Sequence, residues 1–249
     1  MENSFKKKLK TLQLQRGLWV TMTDKLAIEM MAGAGFDWMM FDTEHSPIDT
    51  ISILPLLQIA DGSSANAVVR PSSLNVAEIK KFLDLGARNI LIPMINNAEE
   101  AKLAVAAVEY PPAGIRGVSG ISRATNFGRT MNYHQNARDD ISIMVQIETS
   151  EALENVEEIA SVNGVDGVFV GPADLAAAMG HVGNIKHPEV QLKILETIKR
   201  IRSCNVAPGF LSADLEMVDK VVAAGAVFVA QDIDMSALIR GLQIPKIRK

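Results

Sequence analysis

Eight short apolar or β-branched runs recur along the chain, and each is followed by a segment whose apolar residues repeat with helical period. The runs are RGLWVTM, DWMMFDT, ANAVVRP, RNILIPM, SIMVQIE, DGVFVGP, APGFLS and VFVAQDI. Such an alternation points to a parallel sheet covered by helices, because parallel neighbours need a crossover long enough to hold a helix. In EIKKFLDLGA, Ile79, Phe82 and Leu83 follow the i, i+3, i+4 rule of one buried helix face. Asn75 with Glu78 and Asn97 with Glu100 have the spacing of capping boxes, and Gly86, Gly164 and Gly225 stand where helices should stop. Eight units in 249 residues fit an α/β (β/α)8 TIM barrel, whose usual length is about 250 residues. A doubly wound sheet competes, but no G-x-G-x-x-G turn follows the first run, so a dinucleotide site has no support. The expected organisation is a single barrel domain over residues 1–249 with a short helical extension over about residues 1–14.

Composition narrows the partners of such a barrel. The formal charge of −4 and an aromatic content of 5% argue against a nucleic-acid surface, which needs a basic stripe or stacking platform. The one basic run, Lys6, Lys7, Lys8 and Lys10, is expected to be a solvated face of an N-terminal helix. No stretch approaches the roughly 18 apolar residues of a membrane span, and MENSFKKKLKTLQLQ lacks the apolar block of a secretory signal. A single cysteine, Cys204, rules out a disulfide framework or a thiolate cluster. The expectation is a soluble, cytoplasmic protein with a small or anionic metabolite as partner.

Barrels of this kind carry their chemistry at the C-terminal ends of the strands. The second run ends in Asp42, Glu44 and His45, the third in Arg70, the fifth in Gln146 and Glu148, the sixth in GPAD with Asp174, and the eighth in Asp232. Any one of these has an ordinary explanation, such as a surface ion pair or a helix cap, and Asp174 behind Pro172 is also a plausible cap. Their agreement at one end is harder to dismiss. Glu148 and Asp174 suit a hard divalent ion such as Mg²⁺ or Mn²⁺, whereas zinc lacks an H-E-x-x-H pair or paired cysteines. The turn VGPADLA feeds a helix whose first amides could take an anion; with Arg70 it implies an anionic ligand that also chelates the ion, as a 2-oxo acid does. Asp42 and Glu44 are expected to hydrate that ion through intervening water. No lysine stands well placed at a strand end for Schiff-base chemistry. Two long intervals, residues 111–140 and GHVGNIKHPEV, are candidate functional loops.

With these residues in view, the chain resembles the class II, metal-dependent pyruvate aldolases of the HpcH/HpaI family, which includes 4-hydroxy-2-oxoheptanedioate and 2-dehydro-3-deoxyglucarate aldolases. The resemblance covers nearly the whole chain, through GLW at 17–19, GFDWMMFDTEHSP, VVRP, LDLGARNILIPMINNAEEA, YPPAGIRGV, VQIET, GVDGVFVGPADLAAAMG, HPEV and APGFL. It implies a carbon–carbon lyase that cleaves a 4-hydroxy-2-oxo acid to pyruvate and an aldehyde through a metal-stabilised pyruvate enolate. It further implies Mg²⁺, Mn²⁺ or Co²⁺ on Glu148 and Asp174, with pyruvate held by Arg70, Gln146 and the turn Gly171, Pro172 and Ala173. His45 would be the general base, Asp84 its partner, and the assembly a homohexamer built as a trimer of dimers.

By helical phase Asp84 lies beside Lys80 and Lys81, so within one subunit it is expected to be solvated and to reach a histidine only in a neighbour. Trp19 and Ala173 are expected to border the substrate, although Trp19 could as well be a plain barrel-end aromatic. Arg116 and Arg123 could bind an acidic aldehyde or make subunit salt bridges. The aldehyde itself stays open, because pocket shape decides single methylenes and hydroxyls. The competing activities are a lyase acting on a CoA thioester, of the citrate lyase β-subunit or malyl-CoA lyase type, and a non-catalytic assembly barrel.

Overall fold

The eight runs form parallel strands β1 (Gln15–Val20), β2 (Trp38–Asp42), β3 (Asn66–Arg70), β4 (Asn89–Ile92), β5 (Ser142–Ile147), β6 (Gly167–Val170), β7 (Ala207–Leu211) and β8 (Phe228–Ile233). They pair in sequence order, and β8 pairs with β1, closing a barrel. The helices are α1 (Ser4–Lys10), α2 (Lys25–Ala32), α3 (Ile53–Asp61), α4 (Val76–Asp84), α5 (Ala98–Val108), α6 (Tyr133–Asp140), α7 (Ser150–Glu154), α8 (Val156–Ala160), α9 (Pro172–Ala178), α10 (Pro188–Ser203), α11 (Leu215–Ala224) and α12 (Asp234–Gly241). This computed structural model describes residues 3–242; the ends of the expected domain, residues 1–2 and 243–249, lie outside the described residues.

Strand alternation sorts the apolar residues into two cores. Met39, Phe41, Val69, Ile143, Val145, Val168 and Val170 face the helices. Trp38, Met40, Val68, Met144, Phe169 and Phe228 fill the barrel interior. Their bulk fits because glycines stand opposite: a Cβ on Gly17 would lie 2.2 Å from Trp38 Cε2, and one on Gly209 would lie 2.3 Å from the Phe228 ring. Continuing the inward series by two residues turns Trp38 and Met40 into Asp42, Val68 into Arg70, and Met144 into Gln146 and Glu148. The pattern that packs the barrel therefore delivers its polar groups to one mouth.

The caps form with a variation. Asn75 accepts from the amides of Ala77 and Glu78, and Asn97 from that of Glu100. Glu78 and Glu100 reach back to Ser72 and Asn96 rather than to the capping asparagines.

Helix α1 closes the opposite end of the barrel. Phe5 and Leu9 are fully buried, and the Phe5 ring meets Trp38 and Phe228 edge-on. The basic run is thus not wholly solvated as the sequence suggested. Lys6 turns inward and is only 5% exposed; its Nζ donates to the carbonyls of Arg138 and Ile141, each at 2.6 Å, and lies 4.0 Å from Asp166. Helical phase explains this, because Lys6 stands three residues before Leu9 and shares the face packed under the barrel.

Burial lowers the Lys6 pKa to about 8 from an ordinary 10.5. The folded chain therefore holds this proton less tightly than the unfolded chain. The cost of the buried ammonium is full below pH 8 and fades as pH climbs towards 10.5. In thermal melts from pH 7 to pH 10, the Tm difference between wild type and Lys6→Met is expected to shift in favour of wild type. A constant difference would show that Lys6 titrates normally.

Candidate active site

The strand register sets Asp42 directly beside Arg70. Arg70 Nε donates to Asp42 Oδ1 at 3.0 Å and Nη2 to Oδ2 at 2.7 Å, a two-pronged pair with both groups almost fully buried. Trp19 supports it from below, with its Nε1 donating to Asp42 Oδ2 at 3.1 Å and its ring lying 4.7 Å from the guanidinium carbon. Burial alone would raise the Asp42 pKa, but Arg70 and Trp19 together hold its carboxyl below the ordinary range. The Asp42 oxygens also accept the amides of Glu44 and His45, which leaves no free lone pair for the water-holding role expected from sequence. Asp42 is an anchor for the arginine.

With Nε and Nη2 occupied, Arg70 keeps Nη1. That nitrogen lies 2.9 Å from Glu44 Oε2 and 3.5 Å from Gln146 Oε1. Gln146 links outward in turn, its Nε2 donating to Glu148 Oε2 at 2.6 Å. The amide of Met94 fixes the other Glu148 oxygen, Oε1, at 3.0 Å. Met94 adopts a left-handed backbone conformation, φ 55°, uncommon outside glycine, and this places its N–H in the site. Sequence reading missed Met94, since a main-chain donor leaves no mark in side-chain chemistry.

Glu148 is 2% exposed. Burial pushes its carboxyl pKa up despite the Gln146 and Met94 hydrogen bonds, and the charges of Asp174 and Glu44 add to the rise. Glu44 is raised for the same first reason, burial, with Arg70 and His45 opposing and Asp42 and Asp174 reinforcing it. Glu44, Glu148 and Asp174 therefore share one neighbourhood in which Asp174 disfavours ionisation of both glutamates and Glu44 that of Glu148, without their oxygens all lying within 4.8 Å of one another. An all-carboxylate donor set of this kind fits a hard divalent cation, with Glu148 and Asp174 able to hold it.

Gly171 leaves room for the Glu148 carboxylate itself, since a Cβ there would lie 2.3 Å from Glu148 Oε2 and 2.8 Å from Gln146 Nε2. The anion-binding turn is narrower than expected. The Gly171 amide is spent on Ile147 O, and Pro172 has no amide hydrogen, so Ala173 and Asp174 supply the open N–H groups.

His45 stands at the rim, 66% exposed, with Nε2 3.9 Å from Glu44 Oε2. Asp232 turns away to pair with Arg240 of α12. Asp84 ends α4, so in its own chain it lies towards the barrel end opposite His45. It stays partly exposed, 26% at the side chain, and pairs with Arg116 Nη2 at 3.2 Å. Arg116 is wholly buried over the Tyr110 ring, and Arg123 is held by Leu85 O and Asp61; neither borders the mouth within this chain. Lys6, whose pKa burial lowers to about 8, sits at the wrong end for a Schiff base.

The HpcH/HpaI aldolase/citrate lyase family model matches residues 15–241, spanning every strand and the whole mouth. The chain belongs to the HpcH/HpaI family. Within it, the chain is 47% identical over 239 residues to a Rhizobium etli protein called pyruvate aldolase, covering 96% of this chain and 94% of that one. It is 47% identical over 244 residues to a Klebsiella pneumoniae 4-hydroxy-2-oxo-heptane-1,7-dioate aldolase, covering 98% and 92%. A crystal structure of an HpcH/HpaI family protein from Burkholderia cenocepacia J2315 superposes with TM-score 0.93 at 34% identity, covering 96% of each chain.

The Gly171 contact is testable in this HpcH/HpaI fold without turnover. Gly171→Ala is expected to weaken Mn²⁺ binding roughly 10- to 100-fold in calorimetric titration while far-UV circular dichroism is preserved. Unchanged affinity would show that Glu148 does not hold the ion from this position.

Proposed function

We propose that the chain is a divalent-metal-dependent aldolase that cleaves 4-hydroxy-2-oxo acids to pyruvate and an aldehyde. The observation that carries this reading is the linked row Asp42, Arg70, Gln146 and Glu148, an anion-binding cation joined through one amide to a buried carboxylate. The names of the Rhizobium and Klebsiella relatives support it, and favour it over a thioester lyase. A carboxylate beside a keto group would meet first Arg70 Nη1 and the Ala173 and Asp174 amides, then the Glu148 and Asp174 cluster.

When bound there, Mg²⁺, Mn²⁺ or Co²⁺ would supply Lewis-acid stabilisation of the negative charge that develops at the keto oxygen. The remaining work falls to side chains. His45 takes the proton of the C4 hydroxyl as the C3–C4 bond breaks, and its place on the rim suits a group that meets the aldehyde end. Asp42 and Trp19 keep Arg70 fixed, so the pyruvate end is held by rigid strands rather than loops. Gln146 orients Glu148 and shares its second pole with Arg70.

Asp84, facing away from its own mouth, belongs in this reading to the site of a neighbouring copy in a homo-oligomer, a hexamer arranged as a trimer of dimers. The exposed Ile121, Phe127 and Met131 of the 111–132 segment are suited to such a contact. The reading includes a cytoplasmic location. The free Cys204 is compatible with a reducing compartment, and among the described residues no helix is long and apolar enough to cross a membrane.

The test is pyruvate release from a panel of 4-hydroxy-2-oxo acids after EDTA treatment, with and without Mg²⁺, Mn²⁺ or Co²⁺. Release is expected to return with metal in wild type and to stay absent in Glu148→Ala. Release untouched by EDTA, or absent from every substrate, would overturn the proposal. His45→Ala is expected to lower kcat about 10²- to 10⁴-fold while Mn²⁺ affinity is retained. Lost affinity with normal turnover at saturating metal would remove His45 from the base role.

A further inference from the structure

Helix α9 is followed by a nine-residue connection, residues 179–187, that leads into α10. A chain of turns folds it back on itself. The His181 amide bonds Ala176 O at 2.7 Å, the Asn184 amide bonds His181 O at 2.9 Å, and the His187 amide bonds Asn184 O at 3.1 Å. These turns lay the imidazoles of His181 and His187 on each other, with centroids 3.6 Å apart and planes 16° from parallel. Glu189, in the first turn of α10, comes from the side: its Oε2 lies 3.2 Å from His181 Nε2. His187 Nδ1 is buried and has no hydrogen-bond partner. A buried ring nitrogen left unmet is costly, and a cation would satisfy it.

We propose that His181, His187 and Glu189 form a second cation site, separate from the carboxylate cluster at the barrel mouth and selective for a borderline divalent ion such as Zn²⁺. One donor atom from each of the three residues lies within 4.8 Å of the others, and no other such group occurs among the described residues. A tetrahedral ion with bonds near 2.0–2.1 Å places its ligands roughly 3.3 Å apart, close to the 3.2 Å that already separates His181 Nε2 from Glu189 Oε2. Parallel rings do not point their nitrogens at one centre, and binding requires rotation about χ2, a broad torsion in histidine. Two imidazoles and one carboxylate prefer Zn²⁺, Ni²⁺ or Cu²⁺ over Mg²⁺, which is the reverse of the preference of an all-oxygen site. The proposed ion would also have a mechanical effect. Lys186 Nζ already pairs with Asp214 at 2.8 Å, and Ile185 and Lys186 share a small cavity with Pro172 and Ser212. A cation on the three residues would tie this connection to the start of α10, beside the turn that carries Asp174.

The site can be tested in full-length protein stripped of metal and carrying Glu148→Gln and Asp174→Asn, which removes the carboxylate pair at the mouth. Equilibrium dialysis against Zn²⁺ is expected to find one ion per chain. Adding His181→Ala or His187→Ala is expected to weaken binding at least tenfold, with His134→Ala as a neutral control. Hydrogen exchange of the amides of residues 181–189 is expected to slow when Zn²⁺ is added to the otherwise wild-type chain. Zn²⁺ uptake unchanged by both histidine substitutions, or no uptake at all, would overturn the proposal. Neither readout uses catalysis, so the result is independent of whether the chain cleaves 4-hydroxy-2-oxo acids.

Discussion

The two-pronged contact between Arg70 and Asp42 is the interaction on which the mouth of the barrel depends. It exists because parallel pairing of β2 and β3 sets the two residues side by side at the same height, where neither can leave without exposing the other as an unpaired charge. Breaking a buried pair of this kind by removing one partner typically costs about 3–5 kcal/mol. Everything next to it is placed by what the pair leaves over. One Arg70 nitrogen remains for Glu44 and Gln146, and Gln146 carries the connection to Glu148. Glu44 and Glu148 feel this arrangement as carboxyls whose pKa values are raised, first by burial, with Asp174 reinforcing both.

Much of this was legible in the sequence, for definite reasons. Strand–helix alternation is a property of every residue in eight units, so it survives local exceptions, and the closed barrel follows from it. Residues such as Arg70, Glu148 and Asp174 were visible because a charged side chain directly after a buried strand is conspicuous. What the sequence concealed were partners distant along the chain. The pairing of Asp42 with Arg70 is set by register, and Asp84, partly exposed as its helical phase implies, also meets Arg116 from a different segment. Lys6 looked exposed within a basic run, although its helical phase, three residues before Leu9, carried the opposite message. Met94 could not be found by composition, because its contribution is one backbone N–H and an unusual φ.

Two kinds of donor set thus occur towards one side of the molecule. At the mouth, Glu148 packs its carboxylate against Gly171, and the surrounding strands hold it in place. On the connection between α9 and α10, histidines stack in a segment whose shape comes from turns rather than from a sheet. Rigid placement suits a group that must meet reacting atoms to within a fraction of an ångström, and a looser segment suits a ligand that needs only to be clasped.

The helix that seals the lower end of the barrel bears on the order of events at the upper one. With Phe5 and Leu9 filling the base and aromatic rings filling the interior, the described residues leave no passage through the barrel, and a ligand at the mouth would come and go on that side alone. A two-part ligand whose acidic end rests inward against Arg70 and whose other end lies near His45 must shed the outer fragment before the inner one. Traffic in the reverse direction must load the inner fragment first. On the proposed reading, an ordered sequence of arrival and departure would follow from the architecture, whichever aldehyde took the outer place.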